Sequence, residues 1–174
     1  SSSWLLIPSL ILSQIFKEVY GLALLTAIIA IISVGTQGYR LRLFYRTGVG
    51  AEPMLWSLYC AFSWMIIGQG LLALSLITES VLPWVHAITI GGLLTMIISM
   101  MARISLGHTG RPILALKGIS TVFIAIQIAA FIRIVLPSIT GYLTALLITS
   151  IAMIVFLAHY LPILLKPRAD GRPG

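Results

Sequence analysis

Acidic residues are almost missing from this sequence: Glu18, Glu52, Glu79 and Asp170 are the only four, and 9% of the chain carries any charge at all. A soluble domain carries roughly a quarter charged residues, so a water-facing surface cannot be assembled from this composition. The single cysteine, Cys60, excludes an internal disulfide and a CxxC metal or redox pair. There is no glycine-rich nucleotide loop, no low-complexity tract and no obvious internal repeat. The start, "SSSWLLIPSLILSQIFKE", lacks the basic region and cleavage pattern of a signal peptide. The net charge of +7 does not point to nucleic acid. The basic residues lie in short segments between apolar runs rather than on one stripe, which is how topology signals are arranged.

What the chain does have is hydrophobicity: 59% apolar residues and a mean hydropathy of +1.09. A hydrocarbon core of about 30 Å takes roughly 20 apolar residues per helix. Five runs meet that length, over 19–38, 54–77, 83–106, 117–136 and 139–163. The links between them are short and hold the breakers "GAEP", "LP", "GHTGRP" and "LPS". Short links make neighbouring helices antiparallel. The expected fold is therefore all-α, a polytopic transmembrane helix bundle of five complete spans. Barrel strands would instead show alternating segments of about ten residues.

Nine basic residues, Arg40, Arg42, Arg46, Arg103, Arg111, Lys117, Lys166, Arg168 and Arg172, fall on one side of such a bundle, and two, Lys17 and Arg133, on the other. Positive loops stay in the cytoplasm, so the C-terminus is expected there. The apolar run Trp4 to Phe16 is too short to span. Residues 1–17 read as a partial helix, with an interfacial helix as the alternative, and 18–174 as the bundle, the C-terminal part of a longer protein.

The third run raises the chemical question, since a helix needs no histidine, arginine or methionine to stay in lipid. At about 100° per residue, His86, Thr89, Leu93, Met96, Met100 and Arg103 share one face, and Gly91, Thr95 and Ser99 form a small-residue ridge opposite. Such a ridge lets another helix approach closely. An intramembrane histidine usually faces the bundle interior or an aqueous cavity. His86 is thus open to two readings, a metal ligand or an interfacial imidazole bonded to a carbonyl. Met96, Met100 and Met101 are expected to pack, and Arg103 to reach along its stem to the cytoplasmic interface.

His86 and His108 are separated by about 33 Å of helix, so they cannot bind one metal atom. His159 falls on the side of His108. In "GHTGRP", Gly107 and Gly110 can take positive φ and Pro112 stops the helix. Arg111 there is either an anion contact for carboxylate or phosphate or a basic connector touching lipid headgroups. Cys60, Met54 and Met65 are expected to be packing residues, and no His, Met or Cys pair has convincing spacing for copper.

The segment "WVHAITIGGLLTMIISMMARISLGHTGRP", residues 84 to 112, closely resembles the stretch that marks the NnrS family, and the tail "HYLPILLKPRADGRPG" is similar to that family's C-terminal ending. The resemblance implies a multi-pass protein of the bacterial inner membrane, containing haem and copper and linked to nitric oxide metabolism, denitrification and nitrosative stress. It implies about twice this many helices, hence the C-terminal half, with the N-terminal half of the same protein as a partner beside the lipid bilayer. It makes His86 and His108 candidate haem-iron ligands, adds His159, and gives Arg111 the place of a haem-propionate partner, a role suited to its planar fork. Copper ligands are not identified. Whether the protein turns over a substrate is left open by the residues. Two other functions fit the composition: half of a transporter or channel for a small anion, using Gln69 and Gln127 within helices, and a membrane scaffold for a partner oxidoreductase.

Overall fold

The computed structural model describes Ile11, residues 23–78 and residues 83–171. Among them the chain is helical, with no strand: α1 (Ala23–Phe44), α2 (Pro53–Thr78), α3 (Trp84–His108), α4 (Ile119–Val135) and α5 (Ile139–Leu165). Each of the five apolar runs forms a helix. The expected partial helix over 1–17 lies outside the described residues, Ile11 apart.

Boundaries follow local chemistry. α1 runs past its expected end at 38, through Tyr39, Arg40 and Arg42, because arginine is a good helix former and hydropathy alone stops at the first charge. α2 starts with Pro53 in the first helical position, where its missing N–H costs nothing, and the Glu52 carbonyl accepts from Leu55 and Trp56. α4 is fixed between Gly118, at φ 85, and Leu136, which Pro137 keeps out of the helical region. The expectation of five complete spans is corrected accordingly. Among the described residues four helices are long and apolar enough to cross a membrane, whereas α4 has 17 residues, about 26 Å at 1.5 Å per residue against a hydrocarbon core of about 30 Å.

α3 is not uniformly α-helical. Ala87–Leu94 widens into a π-helix, which a fixed 100° wheel cannot anticipate. The stretch contains Ile88, Thr89, Ile90, Gly91 and Gly92, all weak α-helix formers, and the wider turn brings both glycines onto the buried face. π segments are rare and frequently occur at functional sites.

α3 is the hub: it packs against α2, α4 and α5, while α1 packs almost wholly against α2. The main apolar core lies toward the end where α3 finishes, built from Met54 on α2, Ile98, Ala102 and Leu106 on α3, Phe123 and Ile126 on α4, and Phe156 and Tyr160 on α5. The outward faces are leucine and isoleucine, as at Leu143, Leu146, Leu147 and Ile154 of α5, the surface that lipid requires.

Candidate functional site

The small-residue face of α3 is where the helices come closest. A Cβ added at Gly91 would lie 2.6 Å from Trp64 Cδ2, and one at Gly92 2.5 Å from Met65 Sδ. On α2, Gly68 makes the reciprocal close approach to Ile88. Thr95 and Ser99 are fully buried, and the Ser99 hydroxyl lies 2.8 Å from that of Ser57. The Trp64 indole donates to Gln127 Oε1 at 2.6 Å, and the Gln127 amide donates to Thr95 Oγ1 at 3.0 Å. This hydrogen-bonded chain ties α2, α4 and α3 together. Gly91, Thr95 and Ser99 thus form the expected contact ridge. Gln127 is committed to it.

At the end where α3 begins, the starts of α3 and α5 meet the end of α4. Arg133 Nη2 lies 2.5 Å from His86 Nε2, and the guanidinium stands 3.3 Å from the centroid of the Tyr142 ring. Arginine is always protonated and can only donate. His86 Nε2 therefore accepts, and the imidazole is neutral with its proton on Nδ1. The partner of His86 is a guanidinium from another helix rather than a backbone carbonyl. The sequence placed Arg133 on the same side as His86 through its charge bias, but with no signal that the two touch.

At the opposite end, "GHTGRP" closes α3 with a Schellman motif. The Arg111 N–H bonds the Leu106 carbonyl at 3.0 Å and the Gly110 N–H bonds Gly107 at 3.2 Å. Gly110 takes the left-handed position at φ 67, whereas Gly107 stays helical, so of the two glycines expected to be free for positive φ only the second uses it. The C-terminal tail then folds over this cap. Arg168 Nη1 donates to the His108 carbonyl at 3.0 Å and the Ala169 N–H to the Thr109 carbonyl at 2.9 Å. Arg168 is gripped by both oxygens of Asp170, at 2.9 and 2.6 Å, a hydrogen-bonded pairing that raises its pKa above the ordinary value. The two stretches that carried the family resemblance are therefore in direct contact.

His108 is exposed on a groove of about 380 Å³ whose lining includes Met100, Arg103, Gly107, Ile113 and Arg168. Arg111 does not line it. Its Nη1 lies 3.5 Å from the carbonyls of Thr109 and Ile163, so it braces the cap against the end of α5. His159 also stands apart from the groove: Nδ1 donates to the Val155 carbonyl at 2.7 Å, and Nε2 faces Gly118. With Nδ1 committed to that carbonyl, Nε2 is the ring nitrogen left to meet another group. Among the described residues no group of three His, Cys, Asp or Glu side chains could hold a metal ion. The residues that sequence reasoning missed are Arg103 and Arg168 as groove cations. The tail's fold-back was the unseen step that brings Arg168 to His108.

These features define a multi-pass α-helical membrane protein with imidazole and guanidinium groups gathered at both ends of a tightly packed central helix. The sequence profile described as NnrS protein matches residues 2–168. The chain belongs to the NnrS family, membrane proteins linked to the nitric oxide response. No curated protein and no solved structure matches it.

Proposed function

We propose that the protein binds haem in the bacterial inner membrane and takes part in handling or sensing nitric oxide. The observation that carries this reading is the groove beside His108. It combines one imidazole, two guanidiniums (Arg103 and Arg168) and an apolar floor from Met100, Ile104 and Ile113, at about 380 Å³. Ligand sites typically measure about 300–1,000 Å³ and are apolar with a few placed polar groups. The donor set fits a haem edge: His108 would reach iron, Arg103 would meet a propionate, the Arg168–Asp170 pair would hold the His108 end of the helix in place, and the floor would exclude water. When bound, haem supplies an iron centre that takes nitric oxide or changes oxidation state. The chain's own part is to orient, neutralise and shield.

His86 is the second candidate, at the other end. Its Nε2 is held by Arg133, so ligation there requires the guanidinium to move away, which frees Arg133 for a propionate. His159, with Nδ1 tied to a carbonyl, is a further candidate on the His108 side, where Arg111 acts as a brace. Among the described residues no three His, Cys, Asp or Glu side chains gather into a group for copper, and no ligand is assigned to it. The anion-path alternative loses Gln127, whose amide is spent between Trp64 and Thr95.

The test is haem content by pyridine haemochrome and low-temperature absorption or EPR spectra of full-length protein carrying His108→Ala, His86→Ala or both. We expect different spectral species to be lost in the two single variants. Two variants that fold and lose the same species would overturn the two-ended arrangement, and wild-type spectra in both would return these histidines to structural roles.

A further inference from the structure

α4 grips α3 at two points, one on each side of the π segment. Arg133 holds His86 Nε2 just before Ala87, and Gln127 donates to Thr95 Oγ1 just after Leu94. The Thr95 hydroxyl in turn points back to the Ile90 carbonyl at 3.4 Å, five residues earlier and inside the widened stretch. Neither grip is free to slide. The Tyr142 ring lies 3.3 Å from the Arg133 guanidinium, and the Trp64 indole holds Gln127 Oε1. The two anchors on α4 are six residues apart, about 9 Å along an α-helix. Nine residues separate His86 from Thr95, about 13.5 Å if α3 were regular, so a regular α3 would overshoot by about 4.5 Å. A π turn closes its hydrogen bonds over five residues instead of four. It therefore fits more residues into each turn and rises less per residue, which takes up the excess.

The same winding sets the packing against α2. Gly91 meets Trp64 and Gly92 meets Met65, whereas a regular wheel puts Gly91, but not Gly92, on the face of Thr95. Gly92 reaches Met65 while the segment is π-wound. We propose that Ala87–Leu94 is a two-state element, π-wound while Arg133 holds His86 and rewound to α-helix when another group takes Nε2. The imidazole accepts through that one nitrogen, so a metal ion or electrophile that takes its lone pair expels the guanidinium and opens one end of the clamp. Rewinding moves His86 outward by about 4.5 Å and turns Gly92 away from Met65. Backbone hydrogen bonds are exchanged rather than lost, each N–H trading a carbonyl five residues back for one four back. Occupation of the outer end is thereby felt at the α2–α3 contact, through an element with two discrete arrangements. The switch is independent of the haem reading, because it requires only a competitor for Nε2.

The test measures the length of α3 in the full chain purified in detergent. Nitroxide labels are attached through Val85→Cys and Ile104→Cys in a Cys60→Ala background. Both positions are exposed, and they bracket the π segment. Nineteen residues of unbroken α-helix span about 28.5 Å and the π-wound chain about 24 Å, a range suited to double electron–electron resonance. Arg133→Met should lengthen the label separation by about 4.5 Å. Arg133→Lys, which keeps a donor for Nε2, should leave it at the parent value. A folded Arg133→Met protein with the parent separation would overturn the proposal, and so would equal lengthening in Arg133→Lys. Should Arg133→Met not fold, the labelled parent is treated with diethylpyrocarbonate until mass spectrometry shows His86 carbethoxylated, which removes the Nε2 lone pair without a substitution. Lengthening that hydroxylamine reverses supports the two-state element, and an unmoved separation with His86 capped refutes it.

Discussion

Gly91→Ala is the sharpest perturbation the helix packing offers. The added methyl would lie 2.6 Å from Trp64 Cδ2 and 2.9 Å from Trp64 Cβ, well inside van der Waals contact. A flexible neighbour would turn aside, but this indole is pinned by its 2.6 Å hydrogen bond to Gln127, itself bonded to buried Thr95. Relief therefore requires either separating α2 from α3 or breaking that bond. Overpacking costs about 1–3 kcal/mol, and a lost hydrogen bond adds about 0.5–1.5 kcal/mol. The sum, roughly 2–4 kcal/mol, lowers the melting temperature of a chain this size by roughly 4–16 °C. Thermal unfolding in detergent, followed by circular dichroism and size-exclusion recovery, measures it. Gly70→Ala is the control, because nothing lies within 4 Å of its added methyl and a helical Gly→Ala change is neutral or stabilising by about 0.5–1 kcal/mol. A double variant, Gly91→Ala with Trp64→Leu, should recover part of the Gly91→Ala loss measured against Trp64→Leu alone. A Gly91→Ala protein that melts within about 2 °C of the parent would show that α2 and α3 are not in close contact there.

Further outcomes follow from other contacts. Thr95→Val keeps shape but removes the acceptor of Gln127, and should cost about 1–3 kcal/mol in the same melt. Gly110→Ala forces a side chain onto φ 67 and against the Asp170 carboxylate, 2.6–2.9 Å away. It should destabilise the cap by about 1–2 kcal/mol and speed proteolysis near Arg168, whereas an unchanged cleavage rate would mean the tail does not rest on the cap. His86→Ala should destabilise by about 1.5–3 kcal/mol by orphaning Arg133, with partial rescue by His86→Gln, whose carbonyl oxygen still accepts; equal melts for the two would deny the Arg133 hydrogen bond. Single cysteines placed at Gly171 and Ser138 in a Cys60→Ala background should label from opposite faces in intact cells, Gly171 only from the cytoplasm. Periplasmic labelling of Gly171 would reverse the charge-based orientation.

Much of this architecture was legible in the amino-acid order. Lipid as solvent forces every backbone polar group into a helix, so runs of about 20 apolar residues and short breaker-rich links dictate antiparallel helices. Alternating direction then separates His86 from His108 and His159 without any knowledge of packing. The Gly91, Thr95 and Ser99 ridge was visible for the same reason, since small residues four apart share a helix face. The tertiary structure alone decided the rest, because those contacts depend on which helices are neighbours. Arg133 reaches His86 across 47 positions of sequence, and Arg168 reaches the His108 carbonyl across 60. Nothing in local periodicity encodes either. The π-helix at Ala87–Leu94 changes the angle per residue, so the fixed wheel could not place Gly92 on the buried face beside Gly91. Arg111 shows the limit most directly. Its sequence position suits an anion contact, but folding leaves the carbonyls of Thr109 and Ile163 in front of its guanidinium, and the groove cations are Arg103 and Arg168 instead.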